Sequence, residues 1–578
     1  MNSSILVRPS FLNSRLWRLT SLLVLGFASG LPLALTGQAM QAWLTTAGMT
    51  MAAIGMFSLV TQPYAYKFIW APLMNRFEPP FFGRRRGWLV LTQLFLAGSI
   101  ALMSRINPAE QTYLFAGLAL LVAFFSSSQD IVIDAYRTDI SPSEERGLAA
   151  SVGVFGYRLA MIVSGGIAFI LADSIGWSQV YQYMALIMLA MAVFSLFTPL
   201  IPQEQSDAQK GRDFMLFMMV VLAAVLSFVA LYRGFRWAVP QLSGTWGLFP
   251  VVASLLLSLT LVNALSRWTR FSGQKDVNGF MYMLLGVVLG VFVGQAIFYV
   301  LNPIVQSWFA GMSAANAGKW INLIETLVIL SVTIPAAYFG AKWSKFELLL
   351  EPLGEYFSRD AAWWFLGLLV FYKLGDAFAG TLSTAFLLKG AAFTQTEVGL
   401  VNKMLGMFAT IGGVFLGGVL MLRLGLFRSL LLFGVLQALS NMGFWLLAEF
   451  GKDAWGHFNL PTGEVARFLT GNDQLTGDTP IDLLLVFVVC FENITGGMGT
   501  AAFVALLMAL SRGGHSLTYY ALLSALASLG RIYVGPVAGV LAEPENLGWS
   551  KFFIFATVMA LPGLLLLWHM RQRIKQLA

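Results

Sequence analysis

The sequence predicts an all-α polytopic membrane protein, and three features carry that prediction. Of its 578 residues, 58% are hydrophobic and 11% charged, whereas an ordinary soluble domain has about 25% charged residues. The apolar residues fall in blocks of about 20, the length that crosses a hydrocarbon core roughly 30 Å thick. Short loops between the blocks hold most of the Lys and Arg. A soluble chain of this length would divide into several cores, each with a charged coat, and too little charge is present for that. Its 56 glycines suit closely packed transmembrane helices.

Taken in order, six spans read in the first third: roughly 17–41, 51–74, 88–104, 112–136, 147–171 and 178–200. The first apolar block, Leu16–Met40, is too long for the core of a cleaved leader and is read as the first membrane helix. Four apolar blocks follow near 214–232, 246–265, 279–302 and 321–342. Six more spans read at 361–386, 396–421, 426–448, 481–509, 517–541 and 550–570. Sixteen spans is the count, with fourteen the alternative if two middle blocks are re-entrant or lie along the surface. Segment 343–360 sets Leu348, Leu349, Leu350, Leu353 and Phe357 among charges, and reads as an amphipathic helix on the membrane surface.

The placement of Lys and Arg sets orientation. Arg8, Arg15 and Arg18, then Arg76 and Arg84 to Arg86, then Arg137 and Arg146 fall on one side; Arg423, Arg428, Arg512, Arg571, Arg573 and Lys575 follow suit. Arg105, Arg233, Arg236 and Lys389 are exceptions. Both termini are expected in the cytoplasm. The net charge of +8 is therefore a topology signal, and no nucleic-acid partner is expected. With Cys490 the only cysteine, an intrachain disulfide and a multi-cysteine metal site are excluded. His457, His515 and His569 fall in predicted loops or at the membrane edge, so no metal or cofactor is expected.

A charge inside a membrane costs about 2.5–3.5 kcal/mol and persists where it faces a bundle interior or an aqueous path. In the fourth span Gln129 and Asp130 are followed by Asp134 and Arg137; the acids and the Arg share one helical stripe. A carboxyl held between apolar surroundings and a cation can bind a proton in one state and lose it in another. Asp130 is the candidate proton carrier. Asp134 and Arg137 are either part of the same relay or an interfacial pair. Tyr64 and Lys67 lie one turn apart in the second span, where Lys67 either lines a path or snorkels. Tyr157 and Arg158 sit at mid-depth in the fifth, Arg158 being a contact for a solute anion or the partner of Asp130. In the second half Lys373 and Asp376 can pair at i, i+3. Asn402 and Lys403, Glu492 and Asn493, and Arg531 complete the set, and Glu492 and Arg531 can neutralise one another. A cavity with both signs of charge suits a polar solute carrying carboxylates and hydroxyls or amides.

A weak internal repeat joins the halves. Ala71-Pro72-Leu73-Met74-Asn75-Arg76 with Gly83-Arg84-Arg85-Arg86 follows the second span, and Gly417-Gly418 through Arg423-Leu424-Gly425 to Arg428 stands at the matching place later. This resembles the loop motif of the major facilitator superfamily, with Asn75 where that motif usually has Asp. Two six-helix halves are implied, here 1–203 and 359–578, with an inserted segment 204–358 carrying the extra helices. Further motifs narrow the resemblance: Phe27-Ala28-Ser29-Gly30-Leu31-Pro32, Ser128-Gln129-Asp130-Ile131-Val132, Gly156-Tyr157-Arg158-Leu159-Ala160, Tyr372-Lys373-Leu374-Gly375-Asp376, Val401-Asn402-Lys403, Phe491-Glu492-Asn493 and Arg531-Ile532-Tyr533-Val534-Gly535-Pro536. Together they resemble the AmpG-type muropeptide permeases of that superfamily.

The resemblance implies a transporter and no enzyme. It implies import of N-acetylglucosaminyl-1,6-anhydro-N-acetylmuramyl peptides across the bacterial inner membrane, driven by protons, for peptidoglycan recycling and with a link to β-lactamase induction. It also implies that a monomer suffices. On this reading Asp130 carries the proton and Arg158 tunes it. Tyr64, Lys67, Gln129, Tyr157, Lys373, Asn402, Lys403 and Asn493 meet the solute, and Asp376, Glu492 and Arg531 bind it or hold the cavity together. Other readings are a permease of the same superfamily for a sugar, a peptide or an acyl-coenzyme A, and a membrane-embedded transferase. The transferase lacks a His–carboxylate pair, a metal cluster or a nucleophile motif in this sequence.

Overall fold

The computed structural model describes residues 14–199 apart from 72–73, 75–76, 81 and 142–145, then 274–461, 478–510 and 516–577, with scattered residues between 212 and 264. The apolar block at 246–265 lies largely, and Asn75 and Arg76 of the loop motif wholly, outside the described residues; the block at 214–232 is described in part, and its described residues are helical. The chain forms two compact units. One comprises Met1–Lys67, Leu89–Ile201 and Asp360–Ala578; the other comprises Phe68–Trp88 and Pro202–Arg359.

The first half of the chain runs α1 Arg15–Leu35, α2 Gln38–Thr46, α3 Met51–Met56, α4 Gln62–Tyr66, α5 Arg84–Met103, α6 Thr112–Ile140, α7 Arg146–Met161, α8 Ala168–Ile175 and α9 Trp177–Ser195. Then come α10 Gln274–Trp308, α11 Ala314–Trp343 and α12 Glu347–Phe357. The last part holds α13 Ala362–Tyr372, α14 Leu374–Ala385, α15 Gln395–Glu397, α16 Gly406–Phe450, α17 Leu483–Leu510, α18 Ser516–Leu541, α19 Gly548–Val558, α20 Leu561–His569 and α21 Arg571–Leu577. Among the described residues eleven helices are long and apolar enough to cross a membrane. The protein is a multi-pass membrane protein.

One expected span takes another form. Segment 51–74 is not a single helix: α3 passes into a 3₁₀ stretch Phe57–Thr61, then α4, then a 3₁₀ turn Lys67–Ile69. Pro63 lies just inside α4; it has no N–H to donate and its ring crowds the preceding turn, so the chain tightens ahead of it. Gly425 interrupts α16 at φ 73, ψ 167, a conformation that glycine enters at little cost. That long run therefore holds two of the expected spans. Between α16 and α17 lies a two-stranded antiparallel sheet, β1 His457–Leu460 with β2 Thr479–Asp482, in the register His457↔Asp482.

Glycine decides how closely the helices approach. A methyl on Gly156 of α7 would stand 2.0 Å from the Leu23 carbonyl oxygen of α1, and one on Gly26 would stand 2.2 Å from that of Gly153. α16 and α17 meet the same way, through Gly413 against Ile494 and Gly497 against Thr410. In the other unit, Gly286, Gly290 and Gly294 set α10 on the backbone of α11 at Ala336, Thr333 and Ile329. Phe346, just before α12, packs on Met283 and Ala341. Burial pushes the Tyr356 hydroxyl at the end of α12 up to about 12.

The indole N–H of Trp17, at the start of α1, donates to the Phe197 carbonyl after α9 at 3.1 Å. Arg573 reaches Asp360, ahead of α13, at 3.5 Å. Each terminus thus lies beside the far end of its own half. Packing between the halves is concentrated at the opposite end: α3 and α4 on α18, α2 on α14, and the stretch Ile162–Ile175 on Gln395–Leu405.

Candidate transport site

The first half gathers polar groups from four spans around one acid. Asp130 of α6 accepts a hydrogen bond from the Ser29 hydroxyl of α1 at 2.5 Å. Lys67 and Asp134 lie within electrostatic reach of it. The Tyr64 hydroxyl stands near Asp130, Ser126 and Tyr157 and 3.5 Å from the Thr36 hydroxyl. The glycine contacts of α1 with α7 bring these groups together: a methyl on Gly30 would meet the Tyr157 carbonyl oxygen at 2.5 Å, so Ser29 and Tyr157 share one level of the bundle. Gln129 is fully buried, and neither of its amide atoms has a hydrogen-bond partner among the described residues.

Two of the sequence-selected charges sit apart from this cluster. Arg137 bonds Asp134 at 2.9 Å, with side chains 30% and 57% exposed. The two side chains pair with one another near the C-terminal end of α6. Arg158 turns to the Met161 sulfur, 4.0 Å away, and Lys67 is the cation set beside Asp130.

The second half holds its cations differently. Lys373 occupies the break between α13 and α14, with φ −98 and ψ 4. Its ammonium donates to Asp376 Oδ2 and to Gln437 Oε1, each at 3.2 Å, and lies 6.0 Å from the Phe503 ring. Lys403 sits in a π-helical stretch, Val398–Leu405, where the widened turn displaces a side chain from its regular position. It is buried, donates to the Thr384 hydroxyl at 2.9 Å and covers the Phe169 ring of the first half at 5.4 Å. Glu492 is within its electrostatic reach. Asn493 donates to Glu492 at 2.6 Å and accepts from Thr410 at 2.8 Å. The Asn402 amide nitrogen is buried without a partner among the described residues. Arg531 lies in α18, and its side chain is outside the described residues, as is any pairing with Glu492.

Sequence reasoning missed Ser29, Thr36, Thr384, Thr410 and Gln437. Gln437 carried a legible signal, because it opens a polar run with Ser440 and Asn441 inside an otherwise apolar span. The hydroxyls carried none, since Ser and Thr are ordinary in membrane helices.

The family description Major Facilitator Superfamily matches residues 19–318. The anhydromuropeptide permease of Escherichia coli (strain K12) is 37% identical over 555 residues, covering 96% of this chain and 80% of that protein. The chain belongs to the major facilitator superfamily. A Haemophilus influenzae protein is 28% identical over 94% of the chain and 92% of its own length. Among solved structures, a POT family transporter in complex with a thioalcohol conjugated peptide superposes with TM-score 0.52 at 13% identity, over 96% of both chains. That likeness shows a shared fold. The resemblance read from the sequence motifs is thereby borne out, and the chain is a membrane transporter of the superfamily.

Proposed function

We propose that this superfamily transporter imports anhydro-muropeptides together with protons across the bacterial inner membrane, with both termini in the cytoplasm. The observation that carries the cargo is the 37% identity to an anhydromuropeptide permease over 96% of the chain. The acid cluster of the first half supports the coupling. Asp130 takes up the proton, and the Ser29 hydroxyl holds the carboxylate when the proton leaves. Lys67 is the cation in reach of Asp130, so a solute carboxylate that engages Lys67 draws it from Asp130 and leaves that acid to bind a proton. Proton and solute then load as one event.

Lys403 and Lys373 offer ammonium groups to carboxylates of the peptide stem, while Gln129, Asn402, Asn493, Tyr64 and Tyr157 meet sugar hydroxyls and amides. Asp376 and Glu492 balance the cations, and Arg531 binds the solute or helps hold the cavity together. Asp134, paired with Arg137, marks the cytoplasmic mouth. On the proposed orientation, packing between the halves at the end remote from the termini corresponds to the inward-facing state. The halves 1–203 and 359–578 rock about the site, and 204–358 is the insertion. One copy of the chain performs the cycle. Import of this cargo would place the protein in peptidoglycan recycling and connect it to β-lactamase induction. Uptake of radiolabelled anhydro-muropeptide into proteoliposomes tests the reading; folded protein that moves none of it excludes this cargo.

A further inference from the structure

We propose that Asp173 and Glu543 form two matched latches that hold the halves together at the end remote from the termini, and that their release sets how often that end opens. Thr50 caps the start of α3, its hydroxyl accepting from Ala53 N–H at 3.2 Å. Thr394 caps the start of α15 in the same way, accepting from Glu397 N–H at 3.2 Å. Two residues after each Thr, a backbone N–H crosses to a carboxylate of the opposite half. Ala52 N–H donates to Glu543 Oε1 at 3.0 Å. Thr396 N–H donates to Asp173 Oδ2 at 3.3 Å, and its hydroxyl donates to the same oxygen at 2.8 Å. The Gln395 amide reaches Asp173 Oδ1 at 3.4 Å.

The match extends to position and to what lies beneath. Asp173 lies in the last turn of α8, at the end of the fifth span of the first half, and Glu543 follows α18, the fifth span of the second half. Under the Glu543 latch, a methyl on Gly539 would stand 2.6 Å from the Met51 carbonyl oxygen; under the Asp173 latch, one on Gly399 would stand 3.0 Å from that of Gly166. The first contact is backbone on backbone, and at the second the methyl would also meet the Phe169 Cβ at 2.9 Å. Each latch couples a carboxylate to peptide N–H groups at the start of a helical segment, where positive partial charge gathers. A bond to a charged group is stronger than a neutral one, yet it depends on close geometry and breaks as a unit when the halves tilt. Glu543 is buried, 6% exposed, and Asp173 is exposed, so the two latches differ in strength but not in register.

This inference rests on the alternating motion of a superfamily transporter and needs no particular cargo. The test uses the full chain in a Cys490→Ala background, with spin labels on Gln179→Cys and Lys551→Cys, at the same end but away from the latches. Pulsed dipolar distances between them are measured in lipid nanodiscs. Glu543→Ala is expected to raise the ratio of long to short distances by roughly tenfold, Asp173→Ala by a smaller factor, and the pair by about the product of the two. Thr396→Ala, which removes one bond and no charge, gives a smaller shift in the same direction and decides the matter if the alanine variants aggregate. Unchanged distances in the double variant overturn the proposal, and so does a shift confined to one latch. The readout contains no muropeptide, so its failure is separable from a failure of the uptake assay.

Discussion

The two halves hold their intramembrane charge in opposite ways. In the first half the acid is the group with a single hydroxyl donor, Ser29 on Asp130, and a cation within reach but not in contact. In the second half the cations are tied down: Lys373 to Asp376 and Gln437, and Lys403 to Thr384 over the Phe169 ring. A group that must change charge during a cycle needs an environment tolerating both forms. A group that must recognise an anion needs to be fixed in place with its charge intact. On the proposed function this asymmetry would divide the labour, with proton exchange in the first half and anion recognition in the second.

Substitutions can break or sharpen that contrast. The largest effect belongs to the frame beneath it. Gly156→Val drives a side chain into the Leu23 carbonyl oxygen and should cost about 3 kcal/mol. The fall in melting temperature of detergent-purified protein measures this, and an unchanged melt would show that α1 and α7 can separate at no cost. Next, Lys403→Met should weaken apparent muropeptide affinity by roughly tenfold, about 1.4 kcal/mol, with the proton-to-solute ratio unaltered. A changed ratio would move proton exchange into the second half. Lys373→Met and Asp376→Asn should each destabilise the protein more than the double variant does, with a coupling of about 0.5–1 kcal/mol because both side chains are roughly a quarter exposed. The smallest effect is expected at Asp134→Asn, where uptake should change less than about twofold, as for other exposed pairs.

Much of this was legible in the sequence because a membrane restricts what a chain can do. Apolar block length and Arg placement gave the spans, and the cost of burying charge picked out Asp130, Lys373 and Lys403. Partners were not legible. Ser29 and Asp130 are 101 residues apart, and their meeting depends on how α1 lies against α6. The choice of Lys67 over Arg158 as the cation near Asp130 depends on the rotation of the second span, which Pro63 and the 3₁₀ stretch before it reset. Hydropathy registers that this span is apolar and is blind to whether its hydrogen-bond ladder is continuous. The break at Lys373 and the π-helical stretch carrying Lys403 escaped for the same reason.

The central claim is that Asp130 couples solute entry to protons. An inward gradient of one pH unit amounts to about 1.4 kcal/mol per proton, enough for roughly tenfold accumulation at one proton per solute. The direct measurement is radiolabelled anhydro-muropeptide uptake into proteoliposomes with and without that gradient, for the unaltered protein and for Asp130→Asn, alongside solute exchange at equal pH on both sides. The account predicts gradient-driven accumulation by the unaltered protein, and exchange without accumulation by Asp130→Asn. Full accumulation by Asp130→Asn would contradict it.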